Sequence, residues 1–146
     1  MTRGALLASA ALLLAACTPA SSASTQGGGA TLRAACGPAD EPSVLLEVPA
    51  TAAEFPRFRL RVSSPVGEVA GKTIEVRDPD AAGPYADWCT ASECRVVRSA
   101  TPTVAVFGPM RADSSVAVRL RTTTVDGRPF TWSGVAVWKS QTLLCG

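Results

Sequence analysis

Two amino acids are missing from this 146-residue chain, which contains no histidine and no asparagine. Without histidine, the Ser-His and Cys-His pairs that activate a nucleophile cannot form within the chain. The commonest protein ligand of transition metals is missing as well. Without asparagine, there is no acceptor for N-linked glycosylation. We therefore expect neither a metal nor another cofactor.

The chain also has little excess charge, with 14 Lys and Arg against 12 Asp and Glu. One of the basic residues, Arg3, belongs to the N-terminal leader, so 13 remain in the rest of the chain. This near balance gives no electrostatic reason to expect a nucleic-acid partner. The serine-hydrolase motifs G-x-S-x-G and S-x-x-K are absent too.

The N-terminal leader joins one positive charge to the apolar run from Gly4 to Leu14. This run is too short to span a bilayer, which needs about 20 apolar residues. It also has no polar face, unlike the helices at the surface of a globular core. A charged start followed by a short apolar run is typical of a secretory signal peptide.

The run ends in Leu14-Ala15-Ala16-Cys17, which resembles the lipobox of bacterial lipoproteins, L-[AS]-[GA]-C. The resemblance implies that the Cys17 thiol carries a diacylglycerol and that cleavage follows Ala16. The new amine of Cys17 is then acylated in turn. It also implies a lipid-anchored protein of the cell envelope, with the membrane as a partner. Thr18 stands where Asp usually signals inner-membrane retention. In a Gram-negative host it therefore favours the outer membrane, facing the periplasm or the surface.

We predict three segments along the chain. Residues 1–16 are the signal peptide. Residues 17–31 are the lipidated cysteine and a tether rich in Ser and Gly, a composition typical of flexible linkers. Residues 32–146 form one domain, which is long enough to bury a core of its own.

Four cysteines remain when Cys17 carries lipid, and an even number in an exported protein indicates disulfides. We predict the bonds Cys89–Cys94, which closes a short loop, and Cys36–Cys145, which joins the two ends of the domain. Zinc is the alternative. The spacing C-x₄-C and the oxidising compartment disfavour it.

Apolar and polar residues alternate in much of the domain, as in half-buried strands. In 57–63, for example, Phe58, Leu60 and Val62 alternate with arginines. Asp126-Gly127 predicts a tight hairpin turn. Because helical periodicity is lacking, we predict an all-β fold, a single antiparallel β-sandwich of immunoglobulin-like type with about seven strands. The predicted strands are 43–48, 57–63, 73–77, 95–98, 103–107, 115–124 and 128–138.

Two stretches approach known ligand motifs without matching them. Residues 66–73 differ from the phosphate loop G-x-x-x-x-G-K-[ST] at the first glycine, which is Val66 here, and a strand pattern follows instead of a helix. Residues 78–89 begin like a calcium loop with Asp78 and Asp80, but Cys89 stands where the final Glu belongs. We interpret both stretches as connections between strands.

Two groups of residues are candidates for binding. Tyr85 and Trp88 lie in the longest predicted irregular segment, 78–94. A loop of this kind, braced by the predicted Cys89–Cys94 disulfide, favours a role in recognition. The alternative is that Trp88 caps the core. The second group is a basic stripe, which forms if the strands carrying its arginines are neighbours. Its members are Arg57, Arg59, Arg61, Arg119 and Arg121. An ordinary solvated sheet face, on which Glu47 and Glu75 pair with some of the charge, is the alternative.

We therefore expect a membrane-anchored, extracytoplasmic binding or scaffolding module. Its candidate partners, besides the membrane, are another envelope protein or an anionic glycan. The alternative is a small hydrolase or carbohydrate-active domain that uses a pair of carboxylates, since Asp and Glu are scattered along the chain.

Overall fold

The computed structural model of the protein describes residues 29–37, 40–49, 56–77, 83–139 and 145. Within these residues the fold is all-β, as predicted, with nine strands and one four-residue helix. Of the helices in this part of the chain, none has the length and the apolar character that crossing a membrane requires. The elements are β1 (Ala30–Cys36), β2 (Pro42–Pro49), β3 (Pro56–Val62), α1 (Val66–Val69), β4 (Thr73–Val76), β5 (Tyr85–Cys89), β6 (Cys94–Val96), β7 (Thr103–Met110), β8 (Ser115–Thr123) and β9 (Pro129–Lys139).

Every predicted segment contains a strand, but β1 and β5 lie outside the predictions, so the described residues hold nine strands rather than about seven. β1 is rich in alanine, which is a weak strand signal. In β5 the polar residue Asp87 is buried, which breaks the alternation of apolar and polar residues. Ala30 and Thr31, which we assigned to the tether, are the first residues of β1.

The strands form one sheet in the order β4-β7-β8-β9-β1-β2-β3-β5-β6. Neighbouring strands are antiparallel except β1 and β9, which run parallel, so the sheet is mixed and not purely antiparallel as predicted. The parallel pair arises because the first and last strands lie side by side at the centre of the order. One continuous curled sheet thus replaces the predicted pair of separate sheets.

The core lies on the inner face of the curled sheet. Leu32, Leu46 and Leu60 stand in one row across β1, β2 and β3, and all three are buried. From the other half of the sheet, Val118 and Leu120 point into the same core. Each fully buried side chain of this size stabilises the fold by about 1.5–3 kcal/mol through removal of apolar surface from water.

Glycine is required at two positions of the β8–β9 hairpin. Gly127 has a φ of 75° in the turn, which side chains with a Cβ rarely adopt, and this confirms the predicted Asp126-Gly127 turn. On the inner face of β9, a Cβ at Gly134 would come within 2.6 Å of the Trp132 ring. The absence of a side chain at Gly134 therefore lets this indole lie flat along its own strand.

The described part of the chain contains two disulfides, Cys36–Cys145 and Cys89–Cys94, and both pairings are confirmed. Cys36–Cys145 joins residues 109 positions apart and fixes the end of the chain to the end of β1. Cys89–Cys94 joins residues five positions apart, across the pair β5–β6. The two bonds therefore close loops of very different length.

This difference in loop length predicts unequal effects on stability. Cys36→Ser with Cys145→Ser should lower the free energy of unfolding by about 4–5 kcal/mol, and Cys89→Ser with Cys94→Ser by about 2 kcal/mol, because the longer loop restricts the unfolded chain more. Urea denaturation of the two double variants measures the losses. Equal losses, or a larger loss in the Cys89/Cys94 variant, would contradict the loop-entropy explanation.

Candidate functional site

Two of the predicted sites fall largely outside the described residues. Cys17 and the whole lipobox lie there, and lipidation stays a prediction. Asp78 and Asp80 of the calcium-like loop also lie outside the described ranges. Among the residues that are described, no three Cys, Asp or Glu side chains stand close enough together to hold a metal ion.

Trp88 lies on the regular strand β5, not on an irregular loop as predicted. Its indole points to the inner face, where the ring meets Phe58 at 5.8 Å and Phe130 at 4.9 Å between centroids, both edge to face. The indole N–H donates a hydrogen bond of 2.7 Å to the carbonyl oxygen of Thr123. The ring and the N–H of Trp88 are both engaged inside the protein, as expected of the alternative in which a half-buried Trp caps the core.

Tyr85 lies on the same strand but on the outer face, opposite Arg61 of β3. The guanidinium carbon of Arg61 is 5.3 Å from the centre of the Tyr85 ring, a cation–π contact worth about 0.5–1 kcal/mol at a partly exposed site. Arg61 also donates a hydrogen bond to the carbonyl oxygen of Cys36. Tyr85 therefore packs against a neighbouring strand rather than standing free for recognition.

The predicted basic stripe does not form, because β3 and β8 are not neighbours. β9, β1 and β2 lie between them in the sheet. Arg59 and Arg61 on β3 are engaged with neighbouring strands, and the side chain of Arg57 is not among those described. Arg119 and Arg121 on β8 are exposed at the outer face of the other half of the sheet.

The outer face of β1, β2, β3 and β5 carries an ion-pair ladder formed by Arg33, Glu47, Arg59 and Asp87. Arg33 donates to Glu47 at 3.1 Å, and Arg59 donates to Asp87 at 3.2 Å. The register places Glu47 directly opposite Arg59, so the four charges alternate in sign across the strands. The ladder neutralises its own charge, and Arg61 beside it is held by the Tyr85 ring and the Cys36 carbonyl oxygen.

The outer face of β7, β8 and β9 is different, and we call it the arginine–valine face. It comprises Val104, Val106, Arg119, Arg121, Val135 and Val137. Arg119 stands opposite Val106 and Arg121 opposite Val104. Val135 and Val137 are 39% and 41% exposed. Among the described residues, neither arginine has an ion-pair partner.

Sequence reasoning offers Glu47 as a partner for arginines but misses Asp87 of the ladder and the valines of the arginine–valine face. A signal for the valines exists, because Ser133, Val135, Val137 and Lys139 alternate with buried or half-buried residues along β9. Asp87 has no such signal. Which acid meets Arg59 is decided by the register between β3 and β5, which are separated along the chain by α1 and β4.

Comparison of the chain with protein-family models, with curated proteins and with solved structures finds no match. Function is therefore argued from the chemistry of these surfaces and of the N-terminal segment, not from a shared fold.

The position of Trp88 predicts a stability effect that distinguishes it from Tyr85. Trp88→Ala should lower the free energy of unfolding by about 3 kcal/mol, because ring contacts with Phe58 and Phe130 are lost. Trp88→Phe should cost about 1 kcal/mol through loss of the N–H donor. Tyr85→Ala, on the outer face of the same strand, should cost about 1 kcal/mol or less.

Urea denaturation of the three variants checks these values. A Trp88→Ala loss no larger than that of Tyr85→Ala would contradict the role of Trp88 in closing the core.

Proposed function

We propose that the chain is a lipid-anchored, extracytoplasmic protein of the bacterial cell envelope, whose β-domain serves as a binding or scaffolding module. The observation that carries this proposal is the tetrapeptide Leu14-Ala15-Ala16-Cys17 directly after a short apolar run. Lipid on the Cys17 thiol contributes about 0.8 kcal/mol of membrane affinity for each buried CH₂ group, and two or more acyl chains give a lasting anchor.

The cysteine inventory supports an envelope location. Four of the five cysteines are paired in disulfides. Disulfides persist in exported proteins and are rare in the reducing cytosol. The fifth cysteine is Cys17 of the lipobox. Because the other four pair with one another, its thiol is left for lipidation.

The surfaces of the domain support binding or scaffolding as its role. The ion-pair ladder is neutral, whereas Arg119 and Arg121 present two charges without a described counter-ion. Guanidinium groups suit carboxylate and phosphate partners because their N–H groups form paired hydrogen bonds. An envelope protein with an acidic surface, or an anionic glycan, is the partner class proposed for this domain.

We further propose that the curled sheet folds over into two layers, as in an immunoglobulin-like sandwich. One layer contains β4, β7, β8 and β9, and the other contains the remaining strands. The hydrogen bond from Trp88 to Thr123 supports this, since it connects β5 with the end of β8. The contact between Trp88 and Phe130 connects the same layers through their aromatic rings.

A carboxylate-dependent hydrolase is the alternative function, and the described geometry favours it less. Such an enzyme needs one carboxyl group held protonated as a general acid. Glu47 and Asp87 share the outer face, but Arg59 stands between them in the register. Each carboxylate accepts a hydrogen bond from an arginine, Glu47 from Arg33 and Asp87 from Arg59, so both are engaged within the sheet.

Metabolic labelling tests the anchor. In a bacterium that processes lipoproteins, the wild-type chain should incorporate labelled palmitate, and globomycin should cause its precursor to accumulate. Cys17→Ser should incorporate no label, because serine offers no thiol for the diacylglycerol. The matched control is Cys89→Ser with Cys94→Ser, which removes two other thiols, keeps the lipobox and should be labelled like the wild type. Equal labelling of Cys17→Ser and the wild type would show that the lipobox hypothesis is wrong.

A further inference from the structure

No described residue covers the arginine–valine face. Its charge, its apolar groups and its position near the start of the domain indicate what binds there. We propose that this face lies against the anionic phospholipid headgroups of the membrane in which the chain is anchored. The proposal rests on the lipid anchor of the proposed function. It assigns Arg119 and Arg121 to phospholipid phosphates, in place of the acidic protein or anionic glycan that the same guanidinium groups would also suit.

The first argument is charge. Arg119 and Arg121 lie two residues apart on the same face of β8, and both are exposed. Their neighbours in the register are uncharged, namely Val106 and Ser133 for Arg119, and Val104 and Thr131 for Arg121. Because the two arginines lack a described counter-ion on this face, an anionic surface would supply the opposite charge.

Glu75 and Asp113, two acidic groups on elements that adjoin the face, do not cancel this charge. Glu75 on β4 stands opposite Val104 but forms an ion pair with Arg77 at 2.8 Å. Asp113 lies in the turn between β7 and β8, where the hydroxyl of Ser115 donates to its carboxylate and lowers its pKa below the ordinary value. Arg111 in the same turn is close enough to lower that pKa further. Each of these acids thus has a basic residue beside it.

The second argument is the exposed valines. Val135 and Val137 project from β9 beside the arginines, with Ala117 opposite Val135. Apolar side chains next to basic ones are the composition of surfaces that rest at the headgroup level of a bilayer, where aliphatic groups leave water and cations meet phosphates. The ion-pair ladder on the other half of the sheet has no uncompensated charge and does not share this composition.

The third argument is where the anchored segment joins the domain. Ala30 pairs with Ala136, between the two exposed valines, and Thr31 pairs with Val137. Gly29 is exposed, so the described part of the chain begins beside the arginine–valine face. The twelve steps from Cys17 to Gly29 reach roughly 40 Å at most, so an anchored domain stays within that distance of the bilayer.

Arginine footprinting of the lipidated protein tests the proposal. The protein purified from membranes is placed in vesicles of phosphatidylcholine alone or of phosphatidylcholine with phosphatidylglycerol, and phenylglyoxal modification is followed by mass spectrometry. Phosphatidylglycerol should slow modification of Arg119 and Arg121 by about fivefold or more, the effect of one basic residue at an anionic leaflet. High salt should reverse the protection. Arg95, which is exposed on β6 and forms an ion pair with Glu93, is the internal control and should be unaffected.

Three outcomes would overturn the proposal, and they are distinguishable. If the protein floats with both kinds of vesicle while Arg119 and Arg121 react equally in each, the face does not contact lipid, although the anchor stands. Protection in native membranes but not in vesicles would assign the face to another envelope protein. Failure of the protein to float with either kind of vesicle would refute the lipid anchor and, with it, this membrane contact.

Discussion

The contact between Trp88 and the β8–β9 hairpin is the interaction on which the shape of the domain depends. β5 and β8 are five positions apart in the sheet, and at about 4.8 Å per strand a flat sheet would hold them some 24 Å apart. The indole nitrogen of Trp88 nevertheless lies 2.7 Å from the Thr123 carbonyl oxygen, and its ring meets Phe130. The sheet must therefore curl until its two halves meet, with Trp88 between them.

This curling gives the outer face two regions with different electrostatic character. Across β1, β2, β3 and β5, Arg33, Glu47, Arg59 and Asp87 alternate in sign and form ion pairs, and Arg61 is engaged by the Tyr85 ring and the Cys36 carbonyl oxygen. Across β7, β8 and β9, Arg119 and Arg121 stand among valines without a described counter-ion. The first described strand, β1, begins beside this second region, because β1 lies next to β9. The start of the described domain and the unbalanced charge thus adjoin as a result of the strand order.

Local pattern was enough to predict most of the strands but not their neighbours. The alternation of Phe58, Leu60 and Val62 identifies β3 without any knowledge of the fold, and Asp126-Gly127 identifies the β8–β9 turn. The predicted basic stripe is wrong because it required β3 beside β8, and strand order depends on long-range packing that periodicity does not encode. The disulfide pairing was predictable because four cysteines allow only three pairings. The predicted pairing closes one short loop and joins the two ends of the domain.

The proposed function depends above all on lipid at Cys17, and mass spectrometry of the N-terminal peptide tests this most directly. The protein should be isolated from the membranes of a bacterium that processes lipoproteins. We predict a peptide that begins at Cys17 and carries the mass of a diacylglyceryl group on sulfur, with or without a further acyl chain on the amine. A peptide that begins elsewhere, or a Cys17 that bears a free thiol, would contradict the lipid anchor and the envelope function built on it.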